Sequence, residues 1–182
     1  MTTVADRYRQ LSADLTRTIE QVPSDRWGSP SPCEGWTALD LARHLVDVHG
    51  MFLGLVGRKL GPAPSVDEDV LAAWRAANGQ LQADLDDPAR AGAEFDGFFG
   101  RTTFAAAVER FVCFDLLVHR WDLARATGLD ERLEPTEVAQ LWAAVEGFGD
   151  TLRTEGVCGP AIEPPPDADE QTRLLCFLGR SV

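Results

Sequence analysis

Apolar side chains recur along this chain at helical spacing, and they do so in separate blocks. Val4, Tyr8, Leu11, Leu15 and Ile19 predict a first amphipathic helix. Val22-Pro23 closes it, because a residue before proline is pushed out of the helical region. Thr37, with Asp40 three residues on, reads as the N-cap of a second helix, close to a capping box. The stripe of that helix is Leu41, Leu45, Val48, Phe52 and Leu55. Val70, Trp74, Ala77, Leu81 and Leu85 mark a third. Thr102 or Thr103 caps a long fourth helix, and Gly128 ends it as the residue after the C-cap. Pro135 suits the first turn of a fifth helix carrying Val138, Leu141, Trp142, Val145, Phe148 and Leu152. A short last helix is expected from Asp169 to Leu178.

The connections are rich in breakers. The Pro/Gly-rich linker from Trp27 to Trp36 should run over the surface, its two tryptophans folding back to cover the end of the bundle. Gly57 to Pro64 is a loop. Periodicity is lost from Asp86 to Gly100, where Phe95-Asp-Gly-Phe-Phe-Gly100 reads as an aromatic loop and a candidate homodimer interface. A further Pro/Gly segment runs from Gly156 to Pro166. With no period-2 run of useful length, the expectation is an all-α bundle. It forms a single domain over residues 1–182, with the C-terminal segment 156–182 packing back on it.

The fourth helix breaks its own pattern. At about 100° per residue, Phe104, Val108, Phe111, Asp115, Val118, His119, Asp122 and Ala126 share one face. Two carboxylates and an imidazole on a buried stripe carry a desolvation cost that needs a cause. Asp115 and His119 are four apart and project side by side. His44 lies at one edge of the second helix's stripe, about 60° from Leu41. If the second and fourth helices pack together, His44, Asp115 and His119 converge as two imidazoles and a carboxylate with coordination positions left open. Such a set suits Zn²⁺, and also Ni²⁺, Fe²⁺ or Mn²⁺. The competing reading makes Asp115 and His119 a buried hydrogen-bonded pair. His49, about 140° from His44, cannot join the same ion from that helix and reads as a core histidine.

Asp122 has two readings. It either supports an imidazole ligand or acts as a general base, or it pairs with a nearby arginine such as Arg125 or Arg43. Asp47, a turn beyond His44, has the same two readings, with the salt bridge preferred, and Trp121 reads as a packing residue. Cys113 and Cys176 read as small core residues. Cys33, following Pro32 in an exposed loop, becomes a nucleophile only if a cation or the helix start near Thr37 lowers its pKa.

Charge narrows the partners. The formal net charge is −12, from 29 acidic against 17 basic side chains. That balance repels phosphate backbones and anionic lipid, so neither nucleic acid nor a membrane is an expected partner. No basic-then-apolar leader opens the sequence, and no apolar run nears the roughly 18–20 residues of a membrane span. Four well-separated cysteines without a CxxC pair fit reduced thiols in a cytoplasmic protein.

Two blocks carry a family resemblance. Ser31-Pro-Cys-Glu-Gly-Trp36-Thr-Ala-Leu-Asp-Leu-Ala-Arg-His44-Leu resembles the PC-x-GW-x-x-x-DL-x-x-H block of DinB-like metal-binding proteins related to mycothiol-dependent maleylpyruvate isomerase. Asp115-Leu-Leu-Val-His119-Arg-Trp-Asp-Leu-Ala-Arg-Ala-Thr-Gly128 resembles that family's second block. The ending, with Arg173-Leu-Leu and Leu178-Gly-Arg180, is similar to an uncharacterised subgroup. The resemblance implies an up-down four-helix bundle with a divalent metal at one end of its core, held by His44, Asp115 and His119. The family's middle ligand is glutamate in the isomerase and histidine in other members, so Asp115 departs from both. The implied activity is a metal-dependent transferase or isomerase that uses mycothiol or a similar thiol on a small electrophilic substrate. The alternative is a non-catalytic metal- or ligand-binding module, a sensor or carrier.

Overall fold

Two threonines start the first two helices in the same way. Thr3 Oγ1 accepts from the Asp6 amide while the Asp6 carboxylate accepts from the Thr3 amide, opening α1 (Val4–Gln21). Thr37 and Asp40 repeat this reciprocal cap at the start of α2 (Ala38–Leu55). Each cap satisfies amide groups that the first turn of a helix leaves without partners. The computed structural model describes residues 2–153 and 158–182, so the first two residues of the Pro/Gly segment expected at 156–166 lie outside the described residues.

After α2 come α3 (Val70–Asp86), capped by Asp69, and the single turn α4 (Pro88–Ala91). The aromatic loop expected before Gly100 is instead a hairpin. β1 (Glu94–Gly97) pairs antiparallel with β2 (Gly100–Thr103), Glu94 opposite Thr103 and Gly97 opposite Gly100. Four-residue strands are too short to show alternation, and Phe98 and Phe99 occupy the turn, where they obscure the period. Phe98 is 88% exposed, while Phe99 stacks on Phe111 beneath the Arg110 guanidinium.

Thr103 caps the long helix by accepting from the Ala106 amide. That helix runs as α5 (Phe104–Ala107), a π-helical turn over Val108–Val112, and α6 (Cys113–Thr127). A π turn inserts one residue, which rotates all that follows by about 100° relative to the residues before it. Gly128, at φ 77°, ends α6 in the left-handed region, its amide donating to the Ala124 carbonyl. α7 (Pro135–Glu146) follows, then a 3₁₀ turn at Gly149–Arg153 and α8 (Glu170–Phe177).

The bundle is all-α, as expected: α1 and α2 each pack against both α3 and α6. Its centre holds Tyr8, Leu15, Leu41, Leu45, Trp74, Leu81, Phe104 and Leu116. Leu55, the last position of the second stripe, overhangs the core and is 44% exposed. None of the described helices is long and apolar enough to cross a membrane.

The tail is tied down by polar contacts. The Gln171 side chain accepts from the Leu133 amide at 2.8 Å and donates to the Glu131 carbonyl at 3.0 Å. Arg153 donates to the Gly159 and Phe177 carbonyls. Gly179, at φ 82°, then presses its backbone against Gly159, turning the chain inward so that Arg180 becomes a buried residue.

Candidate metal centre

Because α2 packs on α6, a histidine at the edge of one stripe faces the polar residues of the other. His44 Nε2 lies 3.5 Å from Asp115 Oδ2, and His119 Nε2 lies 4.0 Å from Asp115 Oδ1. The two imidazoles stand nearly perpendicular, with ring centres 4.9 Å apart. One donor atom from each of the three residues falls within 4.8 Å of the others. His44 and Asp115 are half-buried, so the group opens toward solvent on one side, whereas His119 is buried. Two imidazoles and one carboxylate at this spacing fit a divalent cation of the zinc class, with positions left for water or a ligand.

The tautomer of His119 is set from behind. Its Nδ1 lies 2.9 Å from Asp122 Oδ2, and Asp122 is wholly buried. A carboxylate accepts only, so Nδ1 carries the hydrogen and the Nε2 lone pair is free to face His44 and Asp115. Burial raises the cost of the Asp122 charge, but the hydrogen bond from His119, followed by Arg180, outweighs it and holds the carboxyl below its usual range. Asp122 does not pair with Arg125 or Arg43. Those arginines bond Glu131, and Asp40 with Asp67, respectively. Its partner is Arg180, which donates from Nε to Oδ1 at 3.3 Å and from Nη2 to Oδ2 at 3.0 Å.

The Trp27–Trp36 linker lies at the surface, as expected, and is folded into a closed loop. Pro30 bridges Thr37, Ser31 N–H donates to the Trp36 carbonyl, and Leu39 N–H donates to the Trp27 carbonyl. This closure places Trp36 against both imidazoles, 5.0 Å from His44 and stacked at 6.2 Å on His119. Trp27 packs on Ala42 and Val66. Cys33, expected on the surface, is half-buried, its thiol 3.5 Å from Asp122 Oδ2. Burial, with the Asp122 charge next, pushes that thiol up to about 12, opposite to what a nucleophile requires.

The remaining candidates stay outside the centre. His49 is fully buried, Nδ1 bonded to the Leu45 carbonyl and Nε2 to Tyr8 Oη, both at 2.7 Å. Asp47 is exposed; Trp121, Cys113 and Cys176 are core residues. The sequence reading missed Arg180. The signal that marks it is an arginine set directly after an apolar helix end and a glycine, where a solvated tail would be ordinary.

Comparison with known proteins follows the same residues. The family model described as the mycothiol maleylpyruvate isomerase N-terminal domain matches residues 8–124. His44, Asp115, His119 and Asp122 all lie inside that match, and Arg180 lies beyond it. The uncharacterized protein Rv0738 of Mycobacterium tuberculosis is 29% identical over 172 residues, covering 90% of this chain and 90% of that protein. The uncharacterized protein Rv0036c of the same organism is 28% identical over 152 residues, covering 69% of this chain and 56% of that protein. No solved structure matches the chain.

Proposed function

The chain belongs to the mycothiol maleylpyruvate isomerase N-terminal domain family, and on that footing we propose that it binds a divalent metal and acts as a thiol-dependent transferase or isomerase. The thiol is of the low-molecular-weight, mycothiol type, and the second substrate is a small electrophile. The observation that carries this reading is the incomplete donor set, since among the described residues the His44, Asp115 and His119 group contains three ligands and no fourth. A structural site is closed by the protein, whereas a working site keeps a position open. Zinc suits these donors best, with nickel, iron or manganese as the other candidates.

Each residue then has a task. His44 and His119 offer neutral Nε2 atoms, and Asp115 supplies the charge that partly balances the cation. Asp122 fixes the His119 tautomer; buried and held by Arg180, it orients an imidazole rather than serving as a general base. Trp36 walls the ring faces and narrows access. A bound divalent cation supplies the field that deprotonates an incoming thiol.

Cobalt substitution tests the reading directly. The purified protein is expected to take up one equivalent of Co²⁺, to lose it in His44→Ala and His119→Ala, and to change its visible spectrum on addition of mycothiol. Metal uptake without any response to thiols would favour the non-catalytic sensor or carrier. Metal uptake that both alanine variants leave unchanged would refute the site.

A further inference from the structure

Beside the proposed centre lies a second donor group that shares one of its members. Cys33 Sγ, a ring nitrogen of His119 and a carboxylate oxygen of Asp122 also fall within 4.8 Å of one another. A thiol, an imidazole and a carboxylate form a set that zinc and similar ions take readily. The chain already puts a cation there. Arg180 Nη2 stands 3.0 Å from Asp122 Oδ2 and 3.5 Å from Cys33 Sγ, and its Nε stands 3.3 Å from Asp122 Oδ1. The third nitrogen, Nη1, donates to the Leu178 carbonyl at 2.9 Å and faces Cys158 Sγ at 3.9 Å.

Arg180 is only 7% exposed, and a guanidinium is withdrawn from water at a cost that only a charged, hydrogen-bonding partner offsets. Arg180 directly follows Gly179, whose left-handed backbone sits so close to Gly159 and Pro160 that a side chain there would meet their backbone atoms at 3.0 Å. We propose that Arg180 is the resident cation of the Cys33–His119–Asp122 group, excluding divalent metal from it and leaving His119 to face His44 and Asp115.

The physical reason is competition for one ring. A metal seated between Cys33 and Asp122 takes His119 through Nδ1, which must then lose its hydrogen, and the Nε2 lone pair passes to N–H. That is the opposite tautomer to the one His44 and Asp115 need. A guanidinium satisfies Asp122 without claiming a lone pair of the imidazole. Nδ1–H therefore stays bonded to the carboxylate, and one metal position survives where the side chains alone would allow two.

The inference rests on the reading above through His119, but its test reads Arg180 and Cys33 rather than His44 or Asp115, so the two fail separately. Co²⁺ is titrated into the parent protein, Arg180→Met, Arg180→Lys and Arg180→Met/Cys33→Ser, with circular dichroism to check folding. The parent and Arg180→Lys are expected to show no near-ultraviolet thiolate-to-cobalt band. Arg180→Met is expected to gain that band, and the added Cys33→Ser to remove it. If Arg180→Met does not fold, Arg180→Gln, which keeps a donor for the Leu178 carbonyl but drops the charge, takes its place. A thiolate band in the parent, or none in the folded uncharged variant, overturns the proposal. Failure of the His44 centre would show instead as no Co²⁺ uptake in the parent, and Arg180→Met read in a His44→Ala background still decides the role of Arg180.

Discussion

Asp122 Oδ2 accepts from His119 Nδ1 at 2.9 Å and from Arg180 Nη2 at 3.0 Å, so one oxygen joins a proposed metal ligand to a cation 58 residues further along the chain. A shared acceptor of this kind makes the ligand's orientation depend on the tail. Asp122→Asn keeps the shape and removes the charge. Its amide nitrogen cannot accept from Nδ1–H, and an amide oxygen is a weaker acceptor than a carboxylate. Metal affinity is expected to fall about 10–100-fold, the usual effect of losing a group that supports a ligand histidine. Competition against a chromophoric chelator reads this; an affinity within a factor of two of the parent would remove Asp122 from the site.

His49 gives the fold an acid weakness separate from the metal centre. Burial drives its pKa from 6.5 to about 4, and the ring is held neutral between the Leu45 carbonyl and Tyr8. Between those pH values the unfolded chain binds a proton that the folded chain refuses. The stability is therefore complete above 6.5 and is lost as pH falls toward 4, by about 3 kcal/mol in all. Thermal melts between pH 7 and 4.5 should show a steeper fall for the parent than for His49→Gln. Parallel curves would place the titration elsewhere.

What could be read from the chain, and what could not, divides along physical lines. The four bundle helices were legible because their stripes, Leu41 to Phe52 for example, obey one period, and because Thr37 and Asp40 announce a start. The His44, Asp115 and His119 grouping was legible because polar groups on apolar faces need a reason. The hairpin at Glu94–Thr103 was not, since four-residue strands carry too little pattern. Nor was the π turn at Val108–Val112, whose extra residue leaves no compositional trace. Arg180 escaped because its burial depends on a backbone contact at Gly179, a long-range property invisible to any local window.

A second buried carboxylate separates surface from interior electrostatics. Asp84 is 1% exposed and accepts from both Arg58 and Arg90, whose side chains are 21% and 55% exposed. Arg58 also lies over the Phe104 ring. Arg90→Ala is expected to cost under about 1 kcal/mol, as for other solvated pairs. Arg58→Ala, which leaves a buried charge with only a surface partner, should cost about 2–3 kcal/mol. Urea denaturation of the two variants side by side checks the order, and equal losses would count against it.

Gly179 and Gly128 allow the tail's part in the site to be tested without touching any polar residue. Both have left-handed backbones, with φ of 82° and 77°. An alanine at either therefore carries a backbone cost of about 1–2 kcal/mol. They differ in what the new methyl meets. At Gly128 nothing lies within 4 Å, whereas at Gly179 the carbonyl carbon and oxygen of Gly159 and the oxygen of Pro160 stand at 3.0 Å. Those are backbone atoms, which cannot swing aside as the tip of a side chain can. Gly179→Ala must therefore move the strand of chain that delivers Arg180, and Asp122 then loses the partner that completes it. Gly128→Ala is expected to lower stability while leaving metal affinity at the parent value. Gly179→Ala is expected to lower both, the affinity of the His44, Asp115 and His119 centre falling roughly 10-fold or more, toward that of Asp122→Asn. If the two alanine variants bind metal equally well, the tail does not reach the site in solution, and the chain from Gly179 through Arg180 and Asp122 to His119 is broken at its first link.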